Sequence, residues 1–247
     1  MTQPTVRIFP DRASLGHAAA TDIATEIRER LAAQDTVRMI FAAAPSQQET
    51  LDALVTEVGI AWERVIAFHM DDYIGLPDDH PQRFGNWLRR TLFDRLPFKD
   101  VHLMRTDGDV QQRAEEYAAL LDEAPIDICC LGIGVNGHIA FNDPPVADFD
   151  DPLSVKVVEL DEVCRQQQVD DGCFPTLEDV PRTALTLTVP RLLRAERLFC
   201  MVPGAAKATA VRRALRDPIG EECPATALRT HPACTIYLDQ ESARELS

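Results

Sequence analysis

Lysine is almost missing from this chain: of 25 basic residues only Lys99, Lys156 and Lys207 are lysines. Positive charge is scarce as a whole, 25 basic against 40 acidic residues giving a formal net charge of −15. That balance excludes a nucleic-acid backbone or an anionic membrane surface as the main partner. Apolar runs are short, and none reaches the roughly 18 uninterrupted residues that a membrane helix needs. The opening stretch, MTQPTVRIFPDRASLGHAAA, has no basic segment followed by an apolar one, so the reading is a soluble, cytoplasmic protein with no membrane partner. The seven cysteines include no C-x-x-C pair, which indicates neither a disulfide framework nor a zinc site. Cys129 and Cys130 lie in an apolar run where packing is the expected job. Linkers, repeats and low-complexity tracts are absent too, which leaves one domain over residues 1–247. What the 247 residues do have is 45% hydrophobic content, enough to fill a sizeable core and to exclude a disordered or fibrous chain. An anionic ligand would have to be held by a few local cations against an unfavourable overall field.

Residues 6–9 read as a strand and 11–31 as a helix, because Leu15, Ala19, Ile23, Ile27 and Leu31 recur at intervals of four. The alternation continues, with strands expected at 37–43, 65–69, 126–131, 185–189, 198–202 and 235–238 and helices at 46–58, 84–96, 110–121 and 205–215. Apolar strands such as 126–131 suit a sheet covered on both faces, and parallel strands need crossover helices. The fold class is therefore α/β, with a mostly parallel central sheet between helical layers. Residues 142–181, rich in Asp and Pro, read as an irregular flap over the strand ends.

In open α/β sheets ligands sit beyond the carboxyl ends of the strands, and three segments place polar residues there. AFHMDDYIGLPDDHP carries Asp71 and Asp72, CCLGIGVNGHIAFNDPP carries Asn136, His138 and Asp143, and MVPGAAKATAV turns through Gly204 into a helix bearing Lys207. Taken alone, the Asp pair reads as a solvated turn and His138 as a structural histidine. Together at strand ends, carboxylates beside an imidazole form a general acid/base set, and neighbouring carboxylates can push one pKa up toward neutrality. The pattern suggests proton shuttling without naming a reaction.

Residues 132–137, GIGVNG, match G-x-G-x-x-G after a strand. Pro144 and Pro145 follow too soon for the helix a dinucleotide fingerprint requires, so no nicotinamide cofactor is expected. The glycines, Gly137 among them, let the backbone come close to something small and polar. Ser46-Gln47-Gln48-Glu49 fits a capping box, which would leave helix N-terminal amides facing the cleft as an anion site. Lys207 sits similarly, so two helix starts and one ammonium could hold a phosphate.

At these residues the chain resembles the glucosamine-6-phosphate deaminase (glucosamine-6-phosphate isomerase) family, within the group that includes 6-phosphogluconolactonases. FHMDDYIGLPDDHP is similar to the family's MDEYVGLP segment, GIGVNGHIAFNDPP to its G-x-G-x-[DN]-G-H-I-A-F-N-E-P segment, and GAAKA to its G-x-x-K-A turn. The resemblance implies a Rossmann-like α/β/α domain that converts an amino-sugar phosphate and water into a ketose 6-phosphate and ammonia, with no metal or redox cofactor. Asp71 would carry a proton between carbons 2 and 1. His138 would assist ring opening, with Asn136 and Asp143 orienting and polarising it. Lys207 and the loop around Ser46 would hold the phosphate, with Asp72 and Gly137 among the substrate-contacting positions. The family spans monomers and allosteric hexamers, so a homo-oligomer stays open.

Lactonases of the group read D-E-R where this chain has Asp71-Asp72-Tyr73, and D-G-H-x-A-S-L-F-P where it has NGHIAFNDP, so the hydrolase alternative matches less well. A non-catalytic sugar-phosphate sensor on the same scaffold is a further alternative. The phosphate loop, FAAAPSQQE, keeps a hydroxyl at Ser46 but departs from G-x-x-x-G-x-T-P, and Asp143 stands where Glu is usual. A phosphate-binding arginine aligns with Gln168, and Arg165, three residues earlier, is the expected substitute if the stretch is helical. The preferred sugar is open between glucosamine 6-phosphate and galactosamine 6-phosphate.

Overall fold

A computed structural model of the chain describes residues 3–246. In chain order its strands are β1 Thr5–Phe9, β2 Val37–Phe41, β3 Val65–His69, β4 Asp71–Tyr73, β5 Asp100–His102, β6 Ile128–Leu131, β7 Val155–Glu159, β8 Thr183–Leu187, β9 Arg197–Val202 and β10 Cys234–Asp239. Its helices are α1 Arg12–Ala33, α2 Gln48–Thr56, α3 Phe84–Thr91, α4 Val110–Asp122, α5 Glu162–Asp170, α6 Val189–Leu193, α7 Ala208–Arg216 and α8 Gln240–Ala243. Seven strands form a sheet in the order β1-β10-β9-β6-β2-β3-β5, and every pairing in it is parallel. Among the described residues no helix is long and apolar enough to cross a membrane.

The burial of this sheet follows from its sequence. β2 and β6 are buried along their whole length, as continuous apolar strands must be when helices cover both faces. On one face α1 packs Leu15, Ala19, Ile23 and Ile27 against Met39, Phe41 and Val65. On the other, Tyr117 and Leu121 of α4 and Val211 of α7 meet Ile40, Phe68 and Leu198. Asp11 caps α1 by accepting from Ser14 N at 2.7 Å, which satisfies one of the amide donors left orphaned at a helix start.

The strand order reverses between β2 and β6. From β2 the chain builds outward through β3 and β5, then returns to place β6 on the other flank and builds outward again through β9 and β10. Such a switch point opens a crevice at the carboxyl ends of the two strands.

A second sheet, β4-β8-β7, is antiparallel and stands beside the crevice. The stretch 185–189, expected as one more apolar strand of the main sheet, is divided between β8 and the start of α6. Residues 142–181, expected as an irregular flap, hold β7 and α5. Tyr73, Phe141, Val158, Cys164 and Phe174 form a small apolar core under these elements. β5 and β7 went unanticipated because each is short or half-exposed, with charged residues breaking the apolar pattern. The helices expected at 46–58 and 205–215 each begin with a 3₁₀ turn, Pro45–Gln47 and Ala205–Lys207, and that expected at 84–96 ends at Thr91 before a 3₁₀ turn at Phe93–Arg95.

Candidate active site

A cleft opens at the switch point, lined by Ala43, Ser46, Asp71, Gly134, His138, Gln168 and Lys207 among others. The chain leaves the main sheet at His69 and enters the small one at Asp71, so β4 delivers its first side chain to the crevice. Asp71 is 6% exposed. Burial pushes its carboxyl well above the usual carboxylate range, and the charges of Asp72 and Asp143 push the same way.

Side chains alternate across a strand, and Asp72 accordingly turns away from the cleft. Its Oδ1 accepts from Tyr73 N at 2.9 Å and Phe84 N at 3.0 Å, its Oδ2 from Gly85 N at 3.4 Å, and Arg83 Nε lies 3.5 Å away. This carboxylate anchors the positive N-terminus of α3 and lines a separate cavity with Arg83 and Asn86. The expectation that it contacts substrate is corrected on that ground.

The loop after β6 builds the imidazole side. Gly134 N donates to His138 O and Gly137 N to Gly134 O, both at 2.9 Å. A Cβ on Gly134 would stand 2.1 Å from His138 Cε1 and Nε2, so only glycine admits the ring. Gly137, with φ of 90°, supplies the left-handed turn; a Cβ there would meet Cys223 Sγ at 2.5 Å. Gly137 does not line the cleft, and its left-handed turn shapes the loop.

His138 Nδ1 lies 2.9 Å from Asp143 Oδ1, close enough for a charge-assisted pair, although the ring nitrogen does not aim along the line of a hydrogen bond. Asn136 binds both partners, accepting from His138 N and donating Nδ2–H to Asp143 Oδ1, each at 3.0 Å. Asp161 N donates to Asp143 Oδ2 at 3.2 Å. Asp143 has no exposed surface. Burial opposes its charge most strongly, yet His138, Asn136 and the Asp161 amide together hold its carboxyl below the ordinary value. Cys164 of α5 completes the cluster: one donor atom from each of His138, Asp143 and Cys164 lies within 4.8 Å of the others.

Opposite stands Lys207, 7% exposed. Its ammonium makes no hydrogen bond or ion pair among the described residues, and burial lowers its pKa to about 8, against a weaker upward pull from Asp171. The strand-to-helix turn that carries it is held by Asp239, whose carboxylate accepts from Gly204 N at 3.0 and 2.9 Å. Ser46 occupies the matching turn after β2. The expected capping box is not formed: Pro45 occupies the first turn, α2 has no side-chain cap, and Glu49 pairs instead with Arg12 at 2.8 Å. Ser46 Oγ accepts from Gln47 Nε2 at 3.2 Å and faces the cleft. Gln168 lines the cleft as well, whereas Arg165 does not. The Arg165 guanidinium is buried and donates to the carbonyls of Leu177 and Val180, so it does not replace the cation absent at Gln168.

Residues 10–237 match the family described as glucosamine-6-phosphate isomerases/6-phosphogluconolactonase. The chain belongs to this family. Among its curated relatives is a Listeria innocua protein named glucosamine-6-phosphate deaminase, 32% identical over 226 residues, which are 91% of this chain and 94% of that one. A Rhodopirellula baltica protein of the same name is 32% identical over 245 residues, covering 96% and 94%. Among solved structures, a monomeric glucosamine-6-phosphate deaminase superposes with a TM-score of 0.90 at 27% identity, covering 98% of this chain and 99% of that one. The 6-phosphogluconolactonase of Trypanosoma brucei superposes at 0.83 with 21% identity over the full length of both chains, a likeness of fold.

Within this family frame, His69 is the residue the sequence reading missed. Its ring is fully buried, with Nε2 accepting from Met104 N at 2.8 Å and Nδ1 2.9 Å from Asp71 O. An Nε2 that accepts must be unprotonated, so Nδ1 carries the hydrogen and donates it to the Asp71 carbonyl. Burial pushes the ring pKa down and keeps it neutral against the pull of Asp72. Asn142 was missed too: Nδ2 donates to Ile139 O at 2.9 Å and Leu187 O at 2.8 Å, stitching the histidine loop to β8. For His69 the available signal was a polar residue ending an apolar buried strand, VIAFH.

Proposed function

We propose that this protein is an amino-sugar phosphate deaminase/isomerase that converts glucosamine 6-phosphate or galactosamine 6-phosphate, with water, into a ketose 6-phosphate and ammonia. The observation that carries the reading is the facing arrangement of Asp71 and His138 in one cleft with an unpaired, buried Lys207. Relatives at 32% identity over nearly the whole chain, named glucosamine-6-phosphate deaminase, support it.

The phosphate sits against Lys207, Ser46 and Gln168. This lone ammonium answers how so acidic a chain holds an anion: the desolvated charge acts at short range, where interactions are far stronger than in water. With the sugar ring reaching toward β4, His138 moves a proton from the anomeric hydroxyl to the ring oxygen, and Asp143 steadies the imidazolium formed on the way. The open aldehyde loses its carbon 2 proton to Asp71 while its carbonyl oxygen takes a proton from the substrate's own ammonium, giving an enolamine, and the same carboxyl returns its proton to carbon 1. The carbon 2 imine then adds water and releases ammonia, leaving the ketose phosphate. A carboxyl with a raised pKa suits this work, since it must accept a proton and give it back.

The test is a screen of purified protein for ammonia and ketose phosphate release from hexosamine 6-phosphates, with 6-phosphogluconolactone hydrolysis in parallel. Ammonia release from one hexosamine phosphate is expected. Lactone hydrolysis without ammonia release would replace the proposal with the hydrolase reading, and ligand-induced thermal stabilisation with neither activity would replace it with the sensor.

A further inference from the structure

We propose that His138, Asp143 and Cys164 form a binding site for a thiophilic divalent transition metal, zinc above all, and that its occupation shuts off the acid/base pair. The three donors are an imidazole, a carboxylate and a thiol, all buried, with one atom of each within 4.8 Å of the others. Nitrogen, oxygen and sulfur together select zinc-like ions over magnesium or calcium, which prefer oxygen alone. The spacing 138, 143, 164 matches no compact ligand motif, and only the fold of α5 against the histidine loop assembles it.

A second observation points to a ligand. His138 Nδ1 is a buried nitrogen that forms no aligned hydrogen bond, although it stands 2.9 Å from Asp143 Oδ1. An ion seated among the three donors would take the place of that misaligned contact. Tetrahedral zinc, with bonds of about 2.0 Å to nitrogen and 2.3 Å to sulfur, holds its donors roughly 3.5 Å apart. The nitrogen and carboxylate need part by only about half an ångström to admit it, while the thiol closes in. His138 also lines the cleft, so the ring that the ion would hold is one that faces the proposed substrate.

The charges balance. On binding, the Cys164 S–H releases its proton to solvent and the sulfur lone pair bonds to the metal; with the Asp143 carboxylate and a neutral His138, the 2+ ion makes a neutral assembly. Bound zinc takes the His138 lone pair and the carboxylate that steadies the ring, the two features the proposed ring-opening step uses. Metal binding is read without substrate, so it stands or falls separately from that reaction.

The experiment titrates the full-length protein with Co²⁺ and then displaces it with Zn²⁺, Mg²⁺ serving as control. One equivalent of cobalt should give a thiolate charge-transfer band and the visible bands of a tetrahedral site, erased by zinc and untouched by magnesium. Cys164→Ser and His138→Gln should each weaken zinc binding by more than the roughly 10- to 100-fold that loss of an outer-shell partner costs. A band that persists in Cys164→Ser, or no band in the wild type, overturns the proposal. Should the variants not fold, anomalous scattering from zinc-soaked wild-type crystals decides: a peak bonded to Cys164 Sγ and His138 Nδ1 upholds the site, and no peak there overturns it.

Discussion

At the two ends of the cleft burial moves the pKa in opposite directions toward the same result, a neutral group. At the acidic end it drives Asp71 toward the neutral acid, with Asp72 and Asp143 adding to the effect; at the cationic end it drives Lys207 toward the neutral amine, to about 8. Asp143 is buried as well, yet its carboxyl stays below its ordinary value because His138, Asn136 and the Asp161 amide surround it. Depth therefore does not decide charge here; partners do. Among the described residues Asp71 and Lys207 are left without partners for their charged groups, and both are among those proposed to touch substrate, the carboxyl to move the proton and the ammonium to meet the phosphate.

The sharpest way to break this contrast is Asp71→Asn, which keeps the shape and removes the base. Turnover should fall roughly 10²- to 10⁴-fold, the usual worth of a positioned general base, with KM little changed. In the wild type the base works ionised, so kcat/KM falls as pH drops through the Asp71 pKa, and that limb should lie above the ordinary carboxylate range. Steady-state rates across pH measure both, and a variant with wild-type turnover would remove Asp71 from the mechanism.

Lys207→Met tests the other end. Loss of one charge-assisted contact, about 1.5–3 kcal/mol, should raise KM for the sugar phosphate roughly 10- to 100-fold with kcat largely kept. The same change should stabilise the fold, since a pKa lowered from 10.5 to about 8 corresponds to a cost on the order of 3 kcal/mol for burying the ammonium. The sign follows from proton counts: between these two values the unfolded chain holds a proton that the folded one lacks, so wild-type stability rises with pH through that window. The advantage of the methionine variant is thus full below about pH 8 and fades by about 10.5. Thermal melts at several pH values would expose a flat difference if Lys207 were solvated.

His69→Phe probes what holds the acidic end in place. Without the Nδ1–H donor to Asp71 O, kcat should drop roughly 10-fold at constant KM, less than the 10²-fold that a misplacement of about 1 Å can cost. His69→Asn, whose amide can take over that donor, should recover most of the rate, whereas a purely structural role would make the two variants lose rate in step with their stability.

Much of the main sheet was legible because its signals are local. β3 falls at 65–69 as expected, and α1 follows the four-residue spacing from Leu15 to Leu31. Asp71, His138, Asp143, Ser46 and Lys207 were placed at strand ends from the sequence, and Asp71, His138, Ser46 and Lys207 do line one cleft. The small antiparallel sheet was not legible, since β4 is three residues long and pairs with β8 more than 110 residues later. Asp72 was misassigned for a related reason. Its neighbour carries the same side chain, and only the strand's alternation, with the amides of α3 waiting on the far side, separates their roles.

By itself the sequence determined the alternation of strand and helix, the motifs at three strand ends, and the scarcity of lysine that makes Lys207 conspicuous. Those features depend on residue type and short-range spacing, which a string displays. The tertiary structure alone decided that Arg165 serves backbone carbonyls, that His69 holds Asp71 from beneath, and that Cys164 joins His138 and Asp143. Each depends on which distant backbone groups lie within hydrogen-bonding reach, and only the packed fold brings those groups together.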